Sequence, residues 1–124
     1  MDIKMFDVFQ VDFGNAIGSE QEKERPAVVV QNDKGNKYSP TVIVIPLTKE
    51  LKKLSMPTHE IIHKNKLNGL SEDSMLVGEQ MRAIDKSRIL YKRGFLNQEK
   101  EKNSVMQVFL ANATGRRGCS ILWM

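Results

Sequence analysis

Cysteine is almost absent from this sequence of 124 residues, in which Cys119 is the only one. A disulfide within the chain, or a zinc site built from cysteines, needs more than one, so both are excluded. A lone thiol is typical of proteins in reducing compartments, and we expect a cytoplasmic location. Long apolar runs are absent as well: stretches such as 28–30 and 42–47 are far short of the roughly 20 residues that cross a bilayer. The first residues carry no charged segment followed by an apolar one, so we expect neither a signal peptide nor a membrane anchor.

The charge is only mildly unbalanced, since 19 lysines and arginines face 15 aspartates and glutamates for a net charge of +4. This balance suits a polyanionic partner but falls short of a polybasic protein. Hydrophobic residues make up 40% of the chain and charged residues 27%, which is ordinary for a folded domain. A chain of this length fits one domain, which buries about two thirds of its unfolded surface without a metal or a disulfide.

Short segments rich in β-branched residues, separated by polar turns, make up most of the chain. The pattern predicts strands over residues 6–13, 26–30, 41–47, 58–63 and 74–84. In the first strand Phe9, Val11 and Phe13 share the more apolar face, which indicates a half-buried strand. Further predictions are turns at 32–36 and 68–69, a single helical turn at 85–88, and a helix over 98–111 capped by Asn97. The sequence therefore predicts a β-rich α+β fold, a small barrel or strongly bent sheet, with a C-terminal helix.

Residues 59–63 read His-Glu-Ile-Ile-His, which matches the zinc-protease pattern His-Glu-x-x-His. On a helix this spacing places two imidazoles on one face beside a glutamate that activates a zinc-bound water. His59 and His63 are the only histidines, so the third zinc ligand would have to be a distant carboxylate such as Glu79. The flanking Pro57 and the two isoleucines favour a strand, in which the histidines lie about 13 Å apart and cannot share one metal. We therefore expect no metal site, and a zinc protease is kept as an alternative function.

A series of short segments resembles, in order, the MazF/PemK family of toxins from toxin–antitoxin pairs. The segments are Asp7-Val8-Phe9, Gly18-Ser19-Glu20-Gln21, Arg25-Pro26 with Val28-Val29-Val30-Gln31-Asn32-Asp33, Asn36-Lys37-Tyr38-Ser39-Pro40-Thr41, Leu47-Thr48, Pro57-Thr58-His59, and Glu79 to Arg88. Together they cover about residues 6 to 95 with few gaps. The sequence departs from the family at Phe6, where glycine is usual, and at Gly78, where an apolar side chain or cysteine is common. Both departures concern dimer packing and base preference more than catalysis.

The resemblance implies an SH3-like barrel with helices packed on it, formed by residues 1–114 and acting as a homodimer. Residues 115–124 have no recognised counterpart, and their role is left open. The resemblance also implies a metal-independent, cofactor-free endoribonuclease that cuts single-stranded RNA at a specific sequence and is neutralised by an acidic antitoxin. The family's catalytic pair corresponds to Arg25, before the Pro-Val strand, and Thr48, at the end of the next strand. Alternatives with a similar barrel are a CcdB-like toxin that binds DNA gyrase without catalysis, and a decayed relative that only binds antitoxin.

These side chains suit RNA cleavage without a metal, in which the 2′-hydroxyl attacks the adjacent phosphate. The guanidinium of Arg25 offers planar, paired donors to the dianionic transition state, and Thr48 adds a hydroxyl donor. Arginine is a poor general base, so we expect Glu20 or His59 to accept the proton, with His59 better matched to neutral pH. Without the resemblance, a surface ion pair with a neighbouring glutamate would explain Arg25.

The polar loop over residues 14–24 is expected to act as a flap over the substrate. Its Ser19 and Gln21 are candidates for contacts with phosphate or bases, as is Gln80, because side-chain amides suit the exposed edges of unpaired bases. A half-buried strand residue explains Gln80 equally well. The candidate binding residues are therefore Ser19, Glu20, Gln21, His59 and Gln80.

Overall fold

The computed structural model describes residues 1–14 and 23–115 of the chain. Within these residues the strands are β1 (Asp7–Asp12), β2 (Glu24–Val29), β3 (Thr41–Thr48), β4 (His59–Ile62), β5 (Ser74–Val77), β6 (Arg82–Asp85) and β7 (Ile89–Phe95). The helices are α1 (Asp33–Tyr38) and α2 (Glu99–Thr114), and two 3₁₀ turns span Gly78–Gln80 and Lys86–Arg88. None of the helices in the described part of the chain is long and apolar enough to cross a membrane.

The strands form one antiparallel sheet in the order β4-β5-β3-β2-β1-β7, and β6 lies beside the first half of β3. β3 is the branching strand, since it pairs with β2 along one edge and with β6 and then β5 along the other. Neighbouring strands pair in the order β6, β3, β2, β1 and β7. The turn Lys86–Arg88 connects β6 to β7, so the first and last strands of this series lie next to each other in the chain. These strands enclose a small barrel, and β4 and β5 extend the sheet beyond it. The predicted β-rich α+β fold is confirmed.

Apolar side chains fill both faces of the central strands. All the enclosing strands contribute to the cluster inside the barrel, which includes Val11, Val29, Val44, Ile84 and Ile89. The opposite face packs against β4, β5 and α2 through a second cluster that includes Val28, Ile45, Leu76, Val105 and Val108. The first face forms the barrel interior, and the second joins the barrel to the helix.

The prediction of a half-buried β1 is wrong. Val8 and Phe9 point to opposite faces of the sheet, and both are at most 1% exposed. Val8 belongs to the cluster beneath α2, and Phe9 belongs to the barrel interior. A sheet that is covered by apolar groups on both faces needs no polar face. The alternation along β1 therefore did not predict that its second face is buried as well.

Several element boundaries also differ from the prediction. Asn32 does not lie in a simple turn but caps α1, because its side chain accepts a hydrogen bond from the backbone N–H of Gly35 at 2.9 Å. The predicted strand over 74–84 is broken by the 3₁₀ turn at Gly78–Gln80. The terminal helix is confirmed, although its cap is Gln98, in a capping box with Glu101, and not Asn97. The strand β7 was not predicted, since its exposed central residues do not alternate.

Both departures from the family pattern have a structural counterpart. Phe6 has a backbone φ of 73°, in the left-handed region that favours glycine. Its ring packs against the cluster beneath α2, with the ammonium of Lys102 5.7 Å from the ring centre. At Gly78 an added Cβ would lie 2.5 Å from Cγ1 of Val108, so glycine lets α2 approach the 3₁₀ turn.

The last strand is joined to the loop that follows β4. The backbone N–H of Phe95 donates to the carbonyl of Leu67 at 2.9 Å. α2 ends at Thr114, and Gly115 follows in the left-handed conformation with φ of 78°. Residues 116–124 lie outside the described residues, so the predicted domain limit at residue 114 stays a prediction.

Candidate active site

Arg25 and Thr48 lie on the neighbouring strands β2 and β3. The antiparallel register pairs Ala27 with Pro46, and continued by two residues it sets Arg25 opposite Thr48. Residues that oppose each other in this way share a face, with Cβ atoms about 5 Å apart. Alternation places that face on the side of Ala27 and Val44, which belong to the barrel interior. The sheet therefore brings a guanidinium and a hydroxyl to one end of the barrel.

The Arg25 side chain is buried, with 7% of the residue exposed. Its Nη2 donates to Oε1 of Gln80 at 2.8 Å, and its Cζ lies 5.7 Å from the centre of the Phe13 ring. The Cζ of Arg82 lies 5.8 Å from the centre of the same ring. An aromatic face attracts cations, so Phe13 holds two positive groups close together. The result is a fixed, positively charged site of the kind that binds a phosphate oxygen.

Gln80 is positioned by the 3₁₀ turn that it ends. The preceding residue, Glu79, is bound at both carboxylate oxygens: Thr58 Oγ1 donates to Oε1 at 2.9 Å, and His59 Nε2 lies 2.8 Å from Oε2. Partial burial by itself would raise the pKa of Glu79. Hydrogen bonds from His59, from the backbone N–H of Glu79 and from Thr58 outweigh burial and hold that pKa below its ordinary value of 4.5. This anchored turn presents Gln80 to Arg25.

His59 lies apart from Arg25, in a cavity between β4 and α2. The residue is 5% exposed, and both ring nitrogens face acceptors. Nδ1 lies 3.1 Å and 3.0 Å from the carbonyl oxygens of Lys52 and Lys53, and Nε2 faces Glu79. A carbonyl oxygen only accepts, so Nδ1 carries a hydrogen. The ring is therefore placed to hold Glu79 and, through it, the turn that carries Gln80.

The hydroxyl of Thr48 has one described partner. Its Oγ1 accepts a hydrogen bond from the backbone N–H of Glu50 at 3.2 Å. Because that interaction uses a lone pair, the O–H remains able to donate. The residue is half-buried at the end of β3.

The flap residues predicted from the sequence, Ser19, Glu20 and Gln21, lie outside the described residues. Of the other candidates, Arg25 is hydrogen-bonded to Gln80 and lines one cavity with Thr48. His59 is connected to Gln80 only through the neighbouring Glu79. Their contacts with RNA stay predictions.

A cavity of 160 Å³ borders Arg25 and Thr48 and extends over the opposite face of β1, β2 and β3. Its wall includes Gln10, Glu24 and Arg93, none of which is among the site residues predicted from the sequence. None of them belongs to a recognisable motif. Arg93 lies on β7, which was itself not predicted, and ends a stretch from Arg82 that holds five basic residues and one acidic residue.

The first four residues of the His-Glu-Ile-Ile-His segment form β4, so the predicted strand is confirmed. His59 contacts Glu79, whereas His63 is exposed and lies 3.1 Å from Asp73. Among residues 1–14 and 23–115, no group of three or more His, Cys, Asp or Glu side chains is arranged to hold a metal ion. The two histidines therefore have separate partners, which does not match the arrangement of a zinc protease.

Known structures share this fold. An endoribonuclease from a mycobacterial species, in complex with its cognate antitoxin, matches with a TM-score of 0.71 and 18% identity over 91% of this chain and 95% of its own. MazF from Deinococcus radiodurans matches with a TM-score of 0.70 and 17% identity over 93% of this chain and 98% of its own. A Mycobacterium tuberculosis MazF toxin matches with a TM-score of 0.68 and 15% identity over 89% of this chain and 97% of its own.

A comparison of the sequence with family models gives the same result. Residues 4–109 match the model of the PemK-like, MazF-like toxins of type II toxin–antitoxin systems. The matched range contains every strand of the sheet and most of α2 in the described part of the chain. The chain therefore belongs to the PemK-like, MazF-like toxin family of type II toxin–antitoxin systems.

Proposed function

We propose that this chain is a metal-independent endoribonuclease toxin that cleaves single-stranded RNA at a specific sequence, with Arg25 and Thr48 as its catalytic pair. The proposal is carried by one observation, that Arg25 and Thr48 line the same cavity. The register of β2 and β3, which pairs Ala27 with Pro46, agrees with it when it is continued by two residues. Family membership supports the role of toxin, and one structure of the same fold is an endoribonuclease bound to its antitoxin.

In the proposed reaction the 2′-oxygen of one nucleotide bonds to the adjacent phosphorus, and the bond from phosphorus to the 5′-oxygen of the next nucleotide breaks. The products are a 2′,3′-cyclic phosphate and a 5′-oxygen that takes a proton from water to give a free 5′-hydroxyl. The phosphorane that forms carries two negative charges, which the buried guanidinium of Arg25 stabilises through planar donors. The hydroxyl of Thr48 donates to a phosphate oxygen from a rigid strand end.

The proton of the 2′-hydroxyl needs an acceptor. We propose a carboxylate for this role, either Glu20, predicted from the sequence, or Glu24, which precedes Arg25 and borders the cavity. His59, the other candidate, acts in this proposal as a positioning residue, because both of its nitrogens are bound within the protein. Replacing the true acceptor with glutamine removes the acid limb of the pH–rate profile. His59→Asn is expected to lower the rate at every pH without changing the shape of that profile.

We also propose a homodimer that acts in the cytoplasm and is inhibited by an acidic antitoxin. The net charge of +4 suits both the RNA and an acidic inhibitor. If the two compete for the same cationic groups, the antitoxin blocks RNA binding, and raising the salt concentration weakens both complexes. Sedimentation of the purified protein tests the dimer directly.

The main experiment uses purified, antitoxin-free protein with a long single-stranded RNA in excess EDTA, followed by mapping of the new ends. Thr48→Val removes the hydroxyl at nearly constant volume and is expected to abolish cleavage, whereas Thr48→Ser restores much of it. Arg25→Lys keeps the charge but loses the planar fork, and it is expected to lose most of the activity. The control is Lys34→Gln, which removes an exposed charge on α1, at the other end of β2 and β3.

Cleavage at a recurring short sequence, lost in Thr48→Val and kept in Lys34→Gln, supports the proposal. Intact RNA in the presence of a folded wild-type dimer contradicts it. A gyrase-inhibition assay on that same preparation then distinguishes a CcdB-like binder from a protein that only binds antitoxin.

A further inference from the structure

Arg93 is the extra residue of a β-bulge in β7. Along β1 the partners of Val8 and Phe9 are Gly94 and Lys92, so one step on β1 corresponds to two steps on β7. The residue between them is Arg93. A bulge bends its strand and redirects the side chain of the extra residue, and bulges are frequent beside binding sites.

The redirected guanidinium is fixed at two points. Its Nη1 donates to Oε1 of Gln10 at 2.9 Å, and its Nε donates to the carbonyl of Gly69 at 3.2 Å. Gly69 has a φ of +67°, and an added Cβ there would overlap the backbone carbonyl of Arg93. An added Cβ at Gly94 would overlap the carbonyl of Leu67 in the same way. The backbone of the loop that contains Leu67 and Gly69 therefore packs directly against the backbone of the bulge. This close packing holds the side chain of Arg93 in a fixed position.

Both Arg93 and Gln10 line the 160 Å³ cavity that borders the catalytic pair. The wall of the cavity has apolar parts at Pro26, Leu47 and Leu70. Its charged residues are balanced between three cations and three anions: Arg25, Lys49 and Arg93, and Glu24, Glu50 and Glu72. The surrounding carboxylates repel an anion, so the cavity as a whole is a poor phosphate site. A neutral, flat group with polar edges suits this lining better.

Among the residues of the wall, Arg93 and Gln10 have hydrogen-bond donors left for such a group. Within the described residues neither Nη2 of Arg93 nor Nε2 of Gln10 has a hydrogen-bond partner. Together they present N–H groups to a ligand edge that carries acceptors. Arginine and glutamine read nucleobases through such acceptors, and in single-stranded RNA these edges are exposed.

We propose that this cavity binds one nucleobase of the RNA substrate, next to the cleaved phosphate, and that Arg93 and Gln10 recognise an acceptor-bearing edge of that base. The inference rests on the proposed endoribonuclease activity and deepens it. Arg25 and Thr48 border the same cavity, so the base belongs to a nucleotide beside the scissile bond. Arg93 is then a specificity-determining residue, supported by Gln10 and the carbonyl of Gly69.

The test is to map cleavage sites in a randomised single-stranded RNA library with wild-type protein, Arg93→Met, Gln10→Leu and the Lys34→Gln control. Arg93→Met keeps the alkyl chain, and Gln10→Leu keeps most of the volume, so at least one folded variant is expected. Both are expected to lose the preference at the same single position by about tenfold or more, the usual effect of one base contact. Lys34→Gln is expected to keep the wild-type preference at all positions.

An abasic nucleotide at the mapped position provides a second readout. It is expected to lower the cleavage rate of the wild-type protein to that of Arg93→Met, so that the two proteins cleave the abasic RNA equally fast. A purely structural role for Arg93 does not predict this result. Unchanged preference in both variants, or an equal loss for all sequences, overturns the inference while the endoribonuclease activity stands. RNA left intact by the wild-type protein overturns the proposed function itself and this inference with it.

Discussion

Replacing Gln80 with glutamate tests whether the charge of Arg25 serves catalysis. The amide oxygen of Gln80 accepts from Arg25 Nη2 at 2.8 Å, and the arginine is 7% exposed. The substitution converts a neutral acceptor into a carboxylate of nearly the same shape. We expect a more stable fold and a slower enzyme.

The two effects have different sizes. Opposite charges about 4 Å apart at an effective dielectric constant near 20 attract by about 4 kcal/mol. Desolvation of the new carboxylate offsets most of that attraction, which leaves a net gain of about 1 kcal/mol. In a domain of this size that gain raises the Tm by about 4 °C. In the proposed reaction the carboxylate competes with the phosphate for the guanidinium, and the loss of one preorganised donor is expected to slow the reaction by about 100-fold.

The assay pairs thermal unfolding with single-turnover RNA cleavage in EDTA for wild type, Gln80→Glu and Gln80→Leu. Gln80→Leu removes the acceptor and is expected to lower both the Tm and the rate. The two variants thus change stability in opposite directions and the rate in the same direction. A Gln80→Glu variant that cleaves RNA within about twofold of wild type would refute the catalytic role of the Arg25 charge, since a preorganised donor contributes far more than that.

Further predictions concern the fold around the site. Phe6→Gly is expected to be more stable than Phe6→Ala by about 1 kcal/mol in urea unfolding, because glycine adopts a φ of 73° without strain; equal stabilities would contradict this. The lowered pKa of Glu79 means that its stabilising contribution is complete above its ordinary value of 4.5 and disappears as the pH falls through the folded-state pKa. The stability difference between wild type and Glu79→Gln should therefore shrink as the pH falls below the ordinary pKa of 4.5, and a constant difference would exclude this linkage. Gly78→Ala is expected to cost about 1 to 3 kcal/mol because its Cβ meets Val108, and Val108→Ala should restore part of that loss.

Much of the fold could be predicted from local patterns, and the errors have identifiable physical causes. The β-branched runs in β2 and β3 marked central strands, and turn residues marked their ends. β7 was not predicted because Leu90 and Tyr91 are both exposed next to each other, so its central residues show no alternation. The residue types that favour turns also cap helices, so the sequence around Asn32 fits a turn as well as the start of α1.

The site was predictable only where motifs exist. The resemblance drew attention to Arg25, Thr48 and Gln80, and the hydrogen bond between Arg25 and Gln80 joins residues 55 positions apart. No local pattern foretells that contact, since it depends on how β2 meets the turn after β5. The place of Arg93 in the cavity could not be predicted, because it is set by a bulge and by the packing of a distant glycine.

The branching of β3 has a consequence for the order in which the chain folds. β2, β5 and β6 each pair with β3, so none of those pairings forms until β3 is in place. The transition state for folding should therefore contain β3, with native contacts already made around buried Val44. Val44→Ala is then expected to slow folding more than it speeds unfolding. We expect α2 to pack on the sheet only after these strands have paired, so Val105→Ala should mainly speed unfolding.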